Sequence, residues 1–222
     1  MRSRHPPLAL CLALSLLLGA AACSKDDGKP APGEPSPSAA AVGPVAFKAT
    51  SVTAVDAGDR AQANDKANQV AAQVVEFLNA YYTIAFTDPA KWGGGAHAEL
   101  ANLFREDVRA QVPAQLQGLA LGDLSPLLES VSPGKAEVAV RVLVTGDDLA
   151  TPAVHVVTAF EGSAVAKDEE DGPVKVTHTL NALLTPGGTG FQLAGGQAEL
   201  RADTAAGASG SVEHSVSWGD PL

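Results

Sequence analysis

The period of the apolar residues changes partway along this chain, and the change limits the folds open to it. Over "NDKANQVAAQVVEFLNAYYTIAF", Val70, Val74, Phe77, Leu78, Tyr81 and Ala85 fall on one helical face, and Gln69, Gln73, Glu76, Ala80 and Thr83 on the other. That is the spacing of an amphipathic α-helix. Further on the period is two. "AEVAVRVLV" sets Val138, Val140, Val142 and Val144 on one side and Glu137, Ala139, Arg141 and Leu143 on the other, as a strand with one buried face requires. "VHVVTAFEGSAVA" reads as a long strand. "VKVTHTLNALL" reads as another, with Val174, Val176, His178, Leu180 and Ala182 on one face, and "FQLAGGQAEL" as the last. Helices first and antiparallel strands after them define an α+β domain.

The residues between these segments set expectations about turns. Asn64 or Asp65 is placed to cap the long helix. Asp88 is placed to cap a short turn that has Pro89 at its first position. A second helix is expected in "HAELANLFREDVRAQV", with Leu100, Leu103, Phe104 and Val108 on one face and Pro113 limiting it. "SPGK" carries Pro133 and Gly134 where a type II turn wants them, which pairs "LLESV" with the next strand as a hairpin. Gly195 and Gly196 mark a bulge or bend. "KDEEDG" reads as a solvated loop that keeps a hydrophobic strand from pairing with neighbours.

The ends are built differently. Residues 1–22 have Arg2 and Arg4, then an uncharged Leu- and Ala-rich run, then Ala20, Ala21 and Ala22 before Cys23, the layout of an export signal. The run is shorter than the ~20 residues that span a bilayer. Residues 23–47, with "SKDDGKPAPGEPSPSAAAVGP", have little to bury and are expected to form a mobile tether. Residues 48–200 form the domain. Residues 201–222 are expected to be a flexible tail, with a short edge strand through Val212, Val216 and Trp218 as the alternative.

The "GAAACS" stretch resembles the signal of bacterial lipoproteins, in which the cysteine after the cut receives a diacylglycerol. The resemblance implies lipid on Cys23 and a chain anchored on the extracytoplasmic side of a bacterial membrane, in the cell envelope. An ordinary secretory signal cut at the same alanines is the alternative. Cysteine usage agrees with the lipid: of two cysteines, Cys11 lies in the segment to be removed, and a single thiol left in an exported protein needs an explanation. Without residues 1–22 the chain keeps 13 basic residues against 25 acidic ones, a net charge of −12. That argues against nucleic acid and against electrostatic docking on anionic lipid.

The domain resembles a second family. A long aromatic-rich helix in "EFLNAYYTIAF", a "DP" turn, a short helix carrying "LF" and then long antiparallel strands is similar to the nuclear transport factor 2-like, or cystatin-like, cone. The resemblance implies short helices and one long one packed on a curved sheet of about five strands. It also implies a pocket between helices and sheet, and a possible homodimer through the sheet. In that pocket the candidate cavity residues are Tyr81, Phe77, Val176 and His178.

Chemistry is sparse. His178, on a face expected to be buried, is the most interesting polar position, and His155 lies in the neighbouring strand. An acid–base pair of His178 with Tyr81 or Asp88 is the enzymatic alternative. His97, His155, His178 and His214 have no ligand spacing, and "KDEEDG" lacks the pattern of a calcium loop. No nucleophile elbow and no phosphate loop are present, and "TPGGTG" is a hairpin turn. The expectation is therefore no catalytic residue, no metal and no cofactor. The expected role is a non-catalytic domain that binds or assembles an unknown envelope protein. A carrier or sensor of a small apolar ligand is the second reading.

Overall fold

The computed structural model describes residues 43–55, 60–92, 96–145, 148–168, 172–188, 190–204 and 211–219. The expected export signal, Cys23 and the expected tether up to residue 42 lie outside the described residues, as do Glu169 to Asp171 of the acidic loop.

The fold is α+β. Six strands, β1 (Lys48–Val55), β2 (Leu128–Thr145), β3 (Asp148–Ala166), β4 (Pro173–Gly187), β5 (Gly190–Thr204) and β6 (Ser211–Trp218), lie side by side in chain order in one open sheet. Every pairing is antiparallel except β1 with β2. Between β1 and β2 run α1 (Arg60–Tyr82), a π-helical turn (Thr83–Thr87), α2 (Ala96–Ala101), α3 (Glu106–Arg109) and α4 (Val112–Leu119), with short 3-10 turns at Pro89–Lys91 and Gly122–Leu127. α1 packs on β1, β2 and β5, and α4 on β5 and β6.

The two periods place the core. On α1, Val70, Val74, Leu78 and Tyr81 are buried, as is Ala85 in the π-helical turn that follows; Phe77 is half-buried, and Gln73, Glu76 and Ala80 are exposed. On the sheet, Val138, Val140 and Val142 meet Val154, Val156 and Phe160, then Val174, Val176, Leu180 and Ala182. β3 and β4 alternate, and β5 does so on either side of its irregularity at residues 193–196, so one face of the sheet is packed and the other solvated.

Several expectations need correction. A strand precedes the long helix, and it pairs in parallel with β2 through partners such as Val52 with Val140. α1 begins at Arg60, so Asn64 and Asp65 are exposed positions inside the helix and not its cap. The second helix is broken. Phe104 bridges to Leu193, with Arg105 N–H donating to the Leu193 carbonyl (2.9 Å) and Leu193 N–H to the Leu103 carbonyl (2.9 Å). Pro113 does not stop a helix. It sits in the first turn of α4, where its missing N–H has no intrahelical partner to lose.

"SPGK" makes no hairpin. β2 runs through it as one strand. Pro133 pairs with Gly162 and Ala136 with Phe160, so two residues bulge opposite one. The uninterrupted β3 supplies partners on both sides, and pairing over that length outweighs the local turn preference. The second irregularity lies beside the paired glycines: Leu183 faces Gly195 and Leu184 faces Leu193, leaving Ala194 unpaired. Gly196 is required for close approach, since a Cβ there would lie 2.5 Å from the Asn181 carbonyl oxygen.

Both ends of the domain reach further than expected. Val45 and Phe47 are buried, so the last tether residues belong to the core. Asn79 accepts the Phe47 N–H through Oδ1 (2.9 Å). Residues 211–218 are the edge strand β6 and not a flexible tail. Trp218 is buried edge-on against Phe104, with ring centroids 5.6 Å apart.

Candidate functional site

The polar groups of the interior converge on one histidine. β4 carries His178 on its packed face, level with Phe160 of β3 and Leu200 of β5, and the side chain has no exposed surface. Its Nε2 lies 2.9 Å from the Gly118 carbonyl of α4. Its Nδ1 lies 2.8 Å from the Tyr82 hydroxyl of α1. That hydroxyl is 2.6 Å from Thr158 Oγ1 of β3, which accepts the Leu180 N–H at 3.0 Å.

The direction of every bond follows from one fact. A carbonyl only accepts, so Nε2 carries the hydrogen and donates to Gly118. A neutral imidazole then has Nδ1 as acceptor, and Tyr82 must donate to it. Tyr82 has spent its only hydrogen, so the Thr158 hydroxyl donates to the Tyr82 oxygen. The chain Leu180 to Thr158 to Tyr82 to His178 to Gly118 is therefore consistent with each group in one role. It ties α1, α4, β3 and β4 together.

The surroundings keep it neutral. The Tyr82 ring lies 4.6 Å from Phe47, 5.3 Å from Phe86 and 5.1 Å from Phe160, and Phe86 lies 4.7 Å from the His178 ring (all between centroids). Burial in this apolar shell lowers the His178 pKa to about 4, against a smaller upward pull from the Gly118 carbonyl. Burial likewise pushes the Tyr82 hydroxyl well up, and Tyr81 with it. Among the described residues its hydrogen-bond partners include no carboxylate, and the titratable side chains whose rings lie against it are Tyr81 and Tyr82.

Each residue singled out from the sequence now has a place. Tyr81 is buried, and its hydroxyl donates to the Leu119 carbonyl (2.5 Å) rather than to His178. Val176 is buried two residues before His178. Phe77 is half-buried and lines a surface groove, away from the histidine network. Asp88 caps the turn it precedes, accepting the Ala90 N–H at 3.1 Å. His155 faces the opposite side of the sheet, where its Nε2 lies 2.6 Å from Asn181 Oδ1. The His97 side chain lies outside the described residues. Among the described residues no group of three His, Cys, Asp or Glu is placed to hold a metal ion, and no helix is long and apolar enough to cross a membrane.

Tyr82 and Thr158 were the residues the sequence reading missed. A signal exists for Tyr82 in the sequence: Leu78, Tyr82 and Phe86 recur at i, i+4 spacing, a row that begins on α1 and ends in the π-helical turn. The π-helical turn, closed by Asp88 N–H donating to the Thr83 carbonyl (2.9 Å), carries that row on into the core. Thr158 is signalled only by parity with Val154, Val156 and Phe160.

The chain matches no protein-family model, and neither the curated proteins nor the solved structures gave a match.

Proposed function

We propose that this chain is a lipid-anchored envelope protein whose domain binds or assembles with a partner and performs no catalysis. The observation that carries the non-catalytic half is the sealing of His178. Both ring nitrogens are spent on Tyr82 and Gly118, and no ring surface meets solvent. A general base must reach the proton it takes, and this one is packed against Phe86 and Tyr82, with Phe160 its partner across the β3–β4 pairing. The same rings fill the space an apolar ligand would need, which favours an external partner over a carried molecule.

The anchor rests on the sequence: Ala20 to Ala22 before Cys23, and a proline-rich spacer after it. Two or three acyl chains hold a protein at a membrane, each buried CH₂ contributing about 0.8 kcal/mol. The finer fold reading, a nuclear transport factor 2-like cone, belongs to the same proposal. It is supported by a long helix laid on a bulged antiparallel sheet, while the parallel β1 ahead of that helix departs from the helix-first order. A homodimer through the solvated face of the sheet, with the exposed Val157 on it, is the corollary of that reading.

Intact-mass spectra of the native membrane fraction test the anchor, with Cys23→Ser as the control. A chain beginning at Cys23 with added acyl mass, lost in the variant, is the expected result. An unmodified chain in the soluble fraction removes the anchor from the account.

A further inference from the structure

The outer surface carries a groove of a different character from the core. It lies where the middle of α1, the C-terminal end of α2 and the β4–β5 turn meet, with a volume of about 480 Å³. Known small-molecule sites span roughly 300–1,000 Å³. Phe77, Leu103 and Phe191 supply its apolar surface, and Gln73, Asn102 and Gln192 its amides. Among the described residues that line it, Glu76 is the one ionisable side chain. Gly187, Gly188 and Gly190 of the β4–β5 turn shape one wall. A Cβ at Gly187 would lie 2.3 Å from Gln192 Oε1, so the absence of a side chain there lets Gln192 fold back over the turn.

We propose that this groove binds a neutral saccharide. Carboxamides both donate and accept, which suits ligand groups that do the same, namely neighbouring hydroxyl and acetamido groups. The half-buried Phe77 ring and Leu103 suit the C–H face of a sugar ring, and the buried Phe191 backs them from the core. A wholly apolar ligand would strip water from three amides and return nothing. An anionic ligand meets Glu76 and a chain of net charge −10. An extended peptide that pairs by its backbone needs a free strand edge, and β4 and β5 are both interior strands, flanked by β3 and β6. The inference rests on the reading of this domain as a non-catalytic binding module. It does not depend on the anchor.

The test is a titration of the full chain, held in a zwitterionic detergent free of sugar headgroups, and followed by amide chemical shifts. The probes are the trisaccharide of N-acetylglucosamine, maltotriose and an uncharged Ala-Pro-Gly peptide, each to about 10 mM, enough to detect millimolar binding. A saccharide that shifts Gln73, Asn102 and Gln192, is recovered unchanged, and binds at least tenfold more weakly to Gln73→Ala/Asn102→Ala supports the proposal. Those two side chains are exposed, so the variant keeps its fold; Gly187→Ala, which displaces Gln192, is the second variant and is expected to weaken binding as well. A saccharide that binds in the groove and is cleaved upholds the site and overturns the non-catalytic reading. No saccharide-induced shift in the groove, or shifts from the peptide alone, overturns the saccharide proposal and leaves the non-catalytic reading standing.

Discussion

Replacing Tyr82 by Phe removes one oxygen from the interior and breaks two hydrogen bonds. His178 Nδ1 loses its donor at 2.8 Å, and the Thr158 hydroxyl loses its acceptor at 2.6 Å. Neither group reaches water, since both residues are buried. A buried polar group left without a partner costs about 1–3 kcal/mol. With two such groups, partly relieved by rotation of the Thr158 hydroxyl, the expected destabilisation is about 3 kcal/mol. For a domain of this size that is a drop of about 6–12 °C in Tm. Urea unfolding followed by circular dichroism at pH 7.5 reads it directly, with the m value unchanged. Tyr81→Phe is the internal control: it breaks the single bond to the Leu119 carbonyl and is expected to cost about 1 kcal/mol. A Tyr82→Phe variant within about 0.5 kcal/mol of the parent, the range of an ordinary surface change, refutes the assigned network.

Acid should expose the same histidine. Between an unfolded pKa near 6.5 and the folded value of about 4, the unfolded chain holds a proton that the folded chain does not. Stability therefore falls as pH drops through that window, by about 1.4 kcal/mol per pH unit and about 3 kcal/mol in all. Urea midpoints from pH 7 to 4 should show this slope, and His178→Leu should remove it. Gly118→Ala places a Cβ 2.6 Å from a Val216 methyl, an overpacking expected to cost about 1–3 kcal/mol; Val216→Ala in the same chain should recover most of it. Trp218→Ala should cost about 3–5 kcal/mol if β6 belongs to the core, and a thermal shift below about 2 °C would return it to a dispensable tail.

What the sequence made legible follows from how much of each signal is local. The faces of α1 and β4 were readable because burial alternates along them without a break, and that alone puts His178 inside. Its partners were not readable. Tyr82, Thr158 and Gly118 come from three other elements, and only the strand register and the packing of α4 bring them to one ring. β1 gave little warning because an edge strand buries only part of one side: Val52, Ala54 and Val55 are half-buried and the rest exposed. The "SPGK" turn failed for the opposite reason. Its local preference was plain, but β3 offers partners on both sides of it, and a bulge satisfies those without reversing the chain. The alternation of Val212, Val216 and Trp218 is too sparse in a polar segment to outweigh the expectation of a tail; it is the packing of Trp218 against Phe104, a contact distant in sequence, that makes β6 part of the domain.

The most direct measurement of the sealed core is the nitrogen spectrum of the His178 imidazole, recorded by long-range ¹H–¹⁵N correlation from pH 8 to pH 4.5 in the range where unperturbed histidines titrate. The account predicts a neutral ring protonated at Nε2, with Nδ1 at the shift of a hydrogen-bonded acceptor and no titration until the lower end of the series. A ring that titrates near 6.5, or that carries its hydrogen on Nδ1, contradicts the donor assignments from Leu180 to Gly118 and makes an acid–base role for His178 the better reading.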